Sequence, residues 1–145
     1  MENKFKSVHT TKDLVLSSLI LAAGIGLFFV YKGWGAVLVA CALLMFLFYK
    51  AGHKREGEDV VLRKKSFDIA HHCRDSVKDF LDGKDVEPEI DTDKNGGVVR
   101  LEVYYNADAA VAYAQLFDFS SYAYEPATEM VALRGRRAEK LIGKL

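Results

Sequence analysis

The chain has 145 residues with twenty basic and twenty acidic side chains, so its formal net charge is zero, and half of its residues are hydrophobic. That length has room for one helical hairpin and one small domain, and for no more. The two cysteines, Cys41 and Cys73, stand in unlike surroundings, which excludes a disulfide framework. The balanced charge is an average over two unlike halves, so it does not indicate a soluble protein.

Two long apolar runs, residues 14–31 and 35–50, follow a short tail of residues 1–13. Each run is close to the roughly 20 residues that a helix needs to cross a bilayer core. No small-residue cleavage site follows the first run, which predicts an uncleaved anchor rather than a signal peptide. The sequence therefore predicts a hairpin of two transmembrane helices joined by an extracytoplasmic turn at residues 32–34.

Basic residues are concentrated on the two outer flanks of the predicted hairpin rather than in its turn. The tail holds three lysines, six lysines or arginines lie between residues 50 and 65, and the turn holds Lys32 alone. Positively charged flanks stay in the cytoplasm. We therefore expect a multi-pass protein of a bacterial-type inner (plasma) membrane, with both termini cytoplasmic and residues 51–59 as a basic juxtamembrane connector against membrane lipid.

Small residues recur every four positions in both apolar runs. They are Ser18, Ala22 and Gly26 in the first run, and Ala36 and Ala40 in the second. This spacing lets helix backbones approach closely in lipid. The pattern indicates packing of the two spans on each other, or alternatively a dimer face.

Residues 60–145 predict a cytosolic α+β domain of order α-β-β-β-β-α, built around an antiparallel meander. Pro88 places the first strand at an edge, while the third strand is apolar on both faces, which favours a central position. Helix is the rival interpretation of the alanine-rich part of that strand. The expected elements are a helix from 60 or 66 to 82, strands at 86–90, 98–105, 111–119 and 129–133, and a helix at 136–145.

Residues 91–102 resemble an EF-hand calcium loop. Asp91, Asp93 and Asn95 would supply oxygen ligands, Gly96 the sharp turn, and Glu102 two oxygens at the twelfth position. An EF-hand also needs a helix on each side, whereas strand-forming residues follow this loop. A hairpin turn rich in Asp, Asn and Gly is the alternative, and calcium is the only cofactor that the sequence suggests.

A second metal-like cluster, His71-His72-Cys73, lies in the predicted first helix. Adjacent helical side chains diverge by about 100°, so a metal would need His72 or Cys73 together with a distant ligand such as His53. Solvated histidines beside a buried thiol are the simpler interpretation. The chain has no Gly-x-Ser-x-Gly element and no glycine-rich phosphate loop, so an enzyme is not predicted.

Residues 79–125 carry eleven acidic side chains against three basic ones. Such a block repels phosphates, which argues against nucleic acid as a partner. The strands are also rich in aromatic residues, which are common in protein contacts. The predicted contact residues are Tyr104, Tyr113, Phe117, Phe119 and Tyr122.

These patterns predict a small integral membrane protein whose cytosolic domain is a non-enzymatic interaction or scaffold module. Its expected partners are membrane lipid and either a second copy of the chain or another protein. The alternative is a membrane-anchored sensor that responds to calcium or another ligand through the loop from Asp91 to Glu102.

Overall fold

The computed structural model describes residues 5–92 and 97–145. The described residues divide into two compact units, residues 5–61 and residues 62–92 together with 97–145. Over the described residues the chain forms four α-helices and seven β-strands with antiparallel pairing. The fold is therefore α+β.

The first unit is a helical hairpin with a strand on each side. β1 (Phe5–Val8) leads into α1 (Thr11–Phe28), and α2 (Lys32–Phe48) leads into β2 (Gly52–Arg55). The two strands pair antiparallel, with Phe5 opposite Arg55. The sequence predicts only a tail and a connector here, because a four-residue polar strand shows no clear alternation and its partner lies more than forty residues away.

The turn of the hairpin lies earlier than the predicted residues 32–34. α1 ends before Phe29, and Tyr31 is already the N-cap of α2. The backbone N–H of Gly35 donates to the carbonyl of Tyr31 at 2.9 Å, so the helical bonding includes the predicted turn. Glycine pairs suggest a break in sequence, but tertiary packing overrides that local preference here.

The two helices approach each other closely at Gly35 and Gly24. A Cβ on Gly35 would lie 2.3 Å from the Cα of Phe28, and a Cβ on Gly24 would lie 2.9 Å from the backbone nitrogen of Val39. Neither distance is compatible with a side chain. The hairpin therefore requires glycine at both positions.

The buried seam of the hairpin repeats every seven residues, with Ser17 and Gly24 on α1 and Gly35 and Ala42 on α2. The predicted four-residue stripes lie elsewhere. Their residues, Ser18, Ala22, Gly26, Ala36 and Ala40, are all exposed in the structure. The prediction that they pack the two helices together is wrong, because a neighbouring set of small residues faces the partner helix.

α1 is the one described helix that is long and apolar enough to cross a membrane by length and composition. α2 is also apolar but is one residue shorter, at 17 residues. Most large apolar side chains of both helices are exposed to the surroundings. Exposing these side chains to water is unfavourable, because burial of each one contributes about 1.5–3 kcal/mol of free energy.

The second unit is an antiparallel sheet with helices on one face. β3 (Val61–Ile69) is followed by a 3-10 turn (His71–Cys73) and α3 (Arg74–Leu81). The sheet continues with β4 (Val99–Asn106) and β5 (Val111–Ser120), which pairs at its two halves with β7 (Val131–Arg134) and β6 (Ala123–Pro126). α4 (Arg136–Ile142) closes the unit.

Several predicted strands are confirmed and two elements are wrong. β4, β5, β7 and α4 match the prediction, and β5 is central as expected. Residues 61–69 are a strand and not the start of a helix, because seven of them pair with β4. Residues 86–90 lie outside any helix or strand.

One hydrophobic core lies between the sheet and the helices α3 and α4. The predicted helical stripe of Ile69, Cys73, Val77 and Phe80 is buried throughout, although Ile69 belongs to β3. The helix α4 contributes Ala138 and Leu141. The sheet contributes the alternate residues that face the helices, which are Val99, Leu101, Val103, Ala112, Ala114, Leu116 and Leu133.

Candidate interaction surface

The face of the sheet that points away from α3 and α4 is polar and aromatic. Successive residues of a strand point to opposite faces, so the alternate residues of β4 that do not enter the core lie here. Strand pairing brings Asp68 of β3, Arg100 of β4 and Phe117 of β5 side by side. Phe119 of β5 lies opposite Tyr124 of β6.

Arg100 is held from two directions. Its Nε donates to Asp68 Oδ1 at 3.0 Å, and its guanidinium carbon lies 3.8 Å from the centre of the Tyr124 ring. The Tyr124 hydroxyl in turn donates to the carbonyl of Gly97 at 2.9 Å. The hydrogen bond to Asp68 raises the pKa of Arg100, so the stack carries a fixed positive charge against an aromatic face.

The turn between β5 and β6 has an unusual backbone. Ser120 lies opposite Ala123, so the loop consists of Ser121 and Tyr122 alone. Their φ angles are +50° and +66°, as a type I′ turn requires, although such turns favour Asn-Gly. Left-handed backbone costs a non-glycine residue about 1–2 kcal/mol. The structure therefore stores strain at this tip.

Aromatic rings are concentrated at this turn. Tyr122 is 97% exposed and Phe119 is 45% exposed. The rings of Phe119 and Tyr124 meet edge to face, with 5.1 Å between their centres. We name Phe119, Tyr122 and Tyr124 of the β-hairpin of β5 and β6, together with Arg100 of β4, the hairpin surface. It is distinct from the helical hairpin of α1 and α2.

The predicted contact residues differ in their exposure. Phe119 and Tyr122 belong to the hairpin surface, and Phe117 is half-buried beside it. Tyr104 is half-buried, with Lys64 Nζ 5.4 Å from its ring centre. Tyr113 is only 1% exposed, so its prediction as a contact residue is wrong.

Tyr113 lies in β5 opposite Tyr104 and Ala132, and its hydroxyl accepts a hydrogen bond from Arg134 Nη2 at 3.4 Å. Arg100 is not among the predicted contact residues, because its position in the surface depends on which residues of β3 and β6 lie beside it. Strand register supplies those neighbours, and no local pattern reveals them.

The EF-hand-like loop has no helix after it. Glu102 lies in the middle of β4, opposite Ser66 and Gln115, and its carboxylate is 3.8 Å from Lys64 Nζ. The carbonyl of Asp91 accepts from the backbone N–H of Ala70 at 2.8 Å. Asp93, Asn95 and Gly96 lie outside the described residues. The helix-loop-helix frame implied by the resemblance is therefore replaced by a strand on the C-terminal side.

An ion pair anchors α3 to the opposite, helix-bearing face of the sheet. Arg74 Nη2 and Nε donate to the two carboxylate oxygens of Asp118 at 2.7 and 2.9 Å. This bidentate hydrogen bond lowers the pKa of Asp118 below its usual value. The pair fixes the C-terminal half of β5, which supports the hairpin surface.

Neither a known protein family, nor a curated protein, nor a solved structure matches this chain. Its function is therefore inferred from its residues and their geometry. The hairpin surface consists of rings and one guanidinium, which suit non-covalent contact with a protein.

Proposed function

We propose that this chain is a small integral membrane protein whose domain at residues 60–145 is a non-enzymatic interaction module. The α1–α2 hairpin serves as the anchor, in a bacterial-type inner membrane with both termini in the cytoplasm. The hairpin surface makes the contact, and a second copy of the chain is the first candidate partner.

The exposed apolar side chains of α1 and α2 support the anchor. Tyrosine and tryptophan are also exposed near both ends of the helices: Tyr31 and Trp34 at the turn, and Tyr49 at the opposite end. Such residues favour membrane interfaces. Pairing of β1 with β2 brings the lysine-bearing flanks to one end of the hairpin, which agrees with both termini on the cytoplasmic side.

Tyr122 carries the interaction proposal. A tyrosine that is almost fully exposed gains little from folding, yet it occupies a left-handed position where glycine or asparagine would be more stable. Strain that the fold does not need is often found at functional sites. Tyrosine is also among the residues that dominate the binding energy of protein interfaces.

The exposed small residues of α1 support self-association. Ser18, Ala22 and Gly26 remain free of the helix seam, and nothing lies within 4 Å of a Cβ placed on Gly26. This stripe would let an α1 helix of a second copy approach closely in lipid. Dimerisation would then place two hairpin surfaces on the same side of the membrane.

Two experiments test the proposal. A photo-crosslinking benzophenone residue at position 122 should yield a covalent adduct in membranes, identified by mass spectrometry, whereas the same residue at the exposed turn position of Asp108 should not. Light scattering of the detergent-solubilised protein should give more than one copy per particle, or a defined partner. A monomer without any adduct at position 122 would overturn the interaction proposal.

Membrane insertion is tested separately, by cysteine labelling in a Cys41→Ser background. A cysteine at Val30, in the turn, should react with an impermeant maleimide added outside intact cells. A cysteine at Lys6 should react only after the membrane is permeabilised. Equal labelling at both positions in intact cells would contradict a hairpin with cytoplasmic termini.

A further inference from the structure

We propose that His72, Cys73 and Glu89 form a binding site for a zinc-type divalent metal ion, with water at the fourth position. One ligand atom from each residue lies within 4.8 Å of the other two. The His72 Nε2 and Glu89 Oε1 atoms are 4.0 Å apart. This inference is independent of the hairpin surface.

Two ligands of the proposed site, His72 and Cys73, are sequence neighbours in the 3-10 turn. Cβ atoms of adjacent residues diverge along a helix, which is why the sequence argued against His71, His72 and Cys73 binding together. In the structure the third ligand is Glu89, and His71 is not part of the cluster. The imidazole is long enough for one of its nitrogens to lie within 4.8 Å of the Cys73 sulfur.

The backbone around Glu89 is held in place by hydrogen bonds. Ser76 Oγ donates to the carbonyl of Glu87 at 3.1 Å and accepts from the N–H of Glu89 at 3.0 Å. Two residues further on, Asp91 is hydrogen-bonded to Ala70, and Pro88 is fully buried. The chain on both sides of Glu89 is thereby attached beside the start of α3, and its carboxylate faces His72.

Cys73 is the rigid member of the set and the two other side chains are adaptable. Cys73 belongs to the hydrophobic core, while His72 and Glu89 have about two-thirds of their side-chain area exposed. Ligands around a tetrahedral zinc ion lie about 3.3–3.8 Å apart, given bond lengths of about 2.0–2.3 Å. The ligand atoms now lie within 4.8 Å of one another. Rotation of the exposed imidazole and carboxylate side chains can bring them to the shorter spacing of a zinc site.

The charge environment suits a cation. Burial raises the pKa of the Cys73 thiol, and the negative charges of Glu89 and Asp91 raise it further. A bound divalent cation reverses that balance and stabilises the thiolate. The backbone N–H of Asp91 also bonds the sulfur and favours its charged form, as second-shell donors do in metal sites.

The donor set selects the class of metal. A thiolate and an imidazole favour zinc and related transition metals, whereas magnesium and calcium prefer oxygen ligands alone. Three protein ligands with one water is the arrangement of an open zinc site.

Cobalt(II) is the probe, because its thiolate complexes absorb in the near ultraviolet. Full-length protein with Cys41→Ser, in detergent, should develop a thiolate-to-cobalt band that saturates at one equivalent, and zinc should displace it. His72→Ala and Glu89→Gln should each weaken binding at least about tenfold. The matched neighbours His71→Ala and Glu87→Gln should leave it unchanged.

Both ligand variants alter exposed side chains, so circular dichroism should show an intact fold. The proposal is overturned if the Cys41→Ser protein develops no thiolate band. It is also overturned if His72→Ala and Glu89→Gln bind cobalt as the parent does, or if His71→Ala weakens binding as much as His72→Ala.

Discussion

The carboxylate of Asp13 accepts a hydrogen bond from the backbone N–H of Ala51 at 2.9 Å. The same oxygen accepts from the N–H of Thr10 at 3.1 Å, and Thr10 Oγ1 accepts from the N–H of Asp13 at 3.2 Å. Asp13 therefore caps α1 and also binds the chain just after α2. One side chain joins the beginning of the helical hairpin to its end.

Asp13→Ala should loosen the base of the hairpin. The change removes the carboxylate half of the capping box and leaves the Ala51 N–H without its carboxylate partner, and each lost hydrogen bond is worth about 0.5–1.5 kcal/mol. Faster amide exchange at Ala51 and a lower melting temperature in detergent are the expected results. Ser18→Ala is the control, since Ser18 bonds only within α1, and unchanged Ala51 exchange in Asp13→Ala would contradict the assignment.

Gly35→Ala should disrupt the hairpin. The added methyl group would lie 2.3 Å from the Cα of Phe28, and a backbone atom cannot move aside without separating the helices. Gly33→Ala, two residues earlier in α2, meets open space and should be neutral or slightly stabilising. Thermal unfolding in detergent measures both; equal melting temperatures for the two variants would show that the seam tolerates a side chain.

Tyr122→Gly should stabilise the domain and weaken its contact with a partner. Glycine relieves the strain of a positive φ, worth about 1 kcal/mol, but removes the exposed ring. Ser121→Gly relieves the neighbouring strain and keeps the ring, so it should raise stability without loss of association. Unfolding curves and light scattering report the two effects, and a Tyr122→Gly protein that associates normally would exclude Tyr122 from the contact.

Acid should weaken the domain through Asp118. Because the Arg74 guanidinium holds the pKa of Asp118 below its unfolded value, the ion pair stabilises the fold fully above the unfolded pKa of about 3.9. That stability is lost as the pH falls through the lower folded pKa. Urea unfolding at several pH values should show a shallower acid decline for Asp118→Asn.

The control for this pH dependence is Asp75→Asn. Asp75 also lies 3.4 Å from Arg74 but is almost fully exposed, and its replacement leaves the pair between Arg74 and Asp118 in place. The acid decline should therefore persist in Asp75→Asn. An Asp118→Asn protein with the same decline as the parent would assign the pH dependence to other groups.

Calcium should not bind through Glu102. The carboxylate belongs to β4 and lies near Lys64, whereas the twelfth EF-hand ligand must turn back onto its loop from a helix. Calcium titration followed by amide NMR should therefore give the same response in the parent and in Glu102→Gln. Saturable shifts at Gly97 that disappear in Glu102→Gln would restore the sensor interpretation.

The elements predicted correctly are those whose pattern is local. The apolar runs of α1 and α2, the clean alternation of β4, and the two-sided apolar character of β5 each indicate their structure without a partner. β3 was mistaken for a helix because Ile69, Cys73, Val77 and Phe80 follow a helical spacing across the junction of a strand and a helix. Both elements bury residues in one core, so the spacing continues through the boundary.

The site was predictable only where exposure follows from a turn. Tyr122 lies in a two-residue loop, which leaves its ring exposed, whereas the burial of Tyr113 depends on tertiary packing over its strand. Arg100 and Glu89 gain their roles from distant residues, Asp68 and Tyr124 in one case and His72 and Cys73 in the other. Such neighbours depend on register and on loop docking, which a single sequence does not display.

The pairing of β1 with β2 has a consequence for the order of synthesis. Phe5 leaves the ribosome early but has no partner until Arg55 has been made, and long-range pairing forms more slowly than helices do. The ribbon can close only after both helices have folded back on each other. Pairing of β1 with β2 therefore takes place only in a chain whose helical hairpin has already closed.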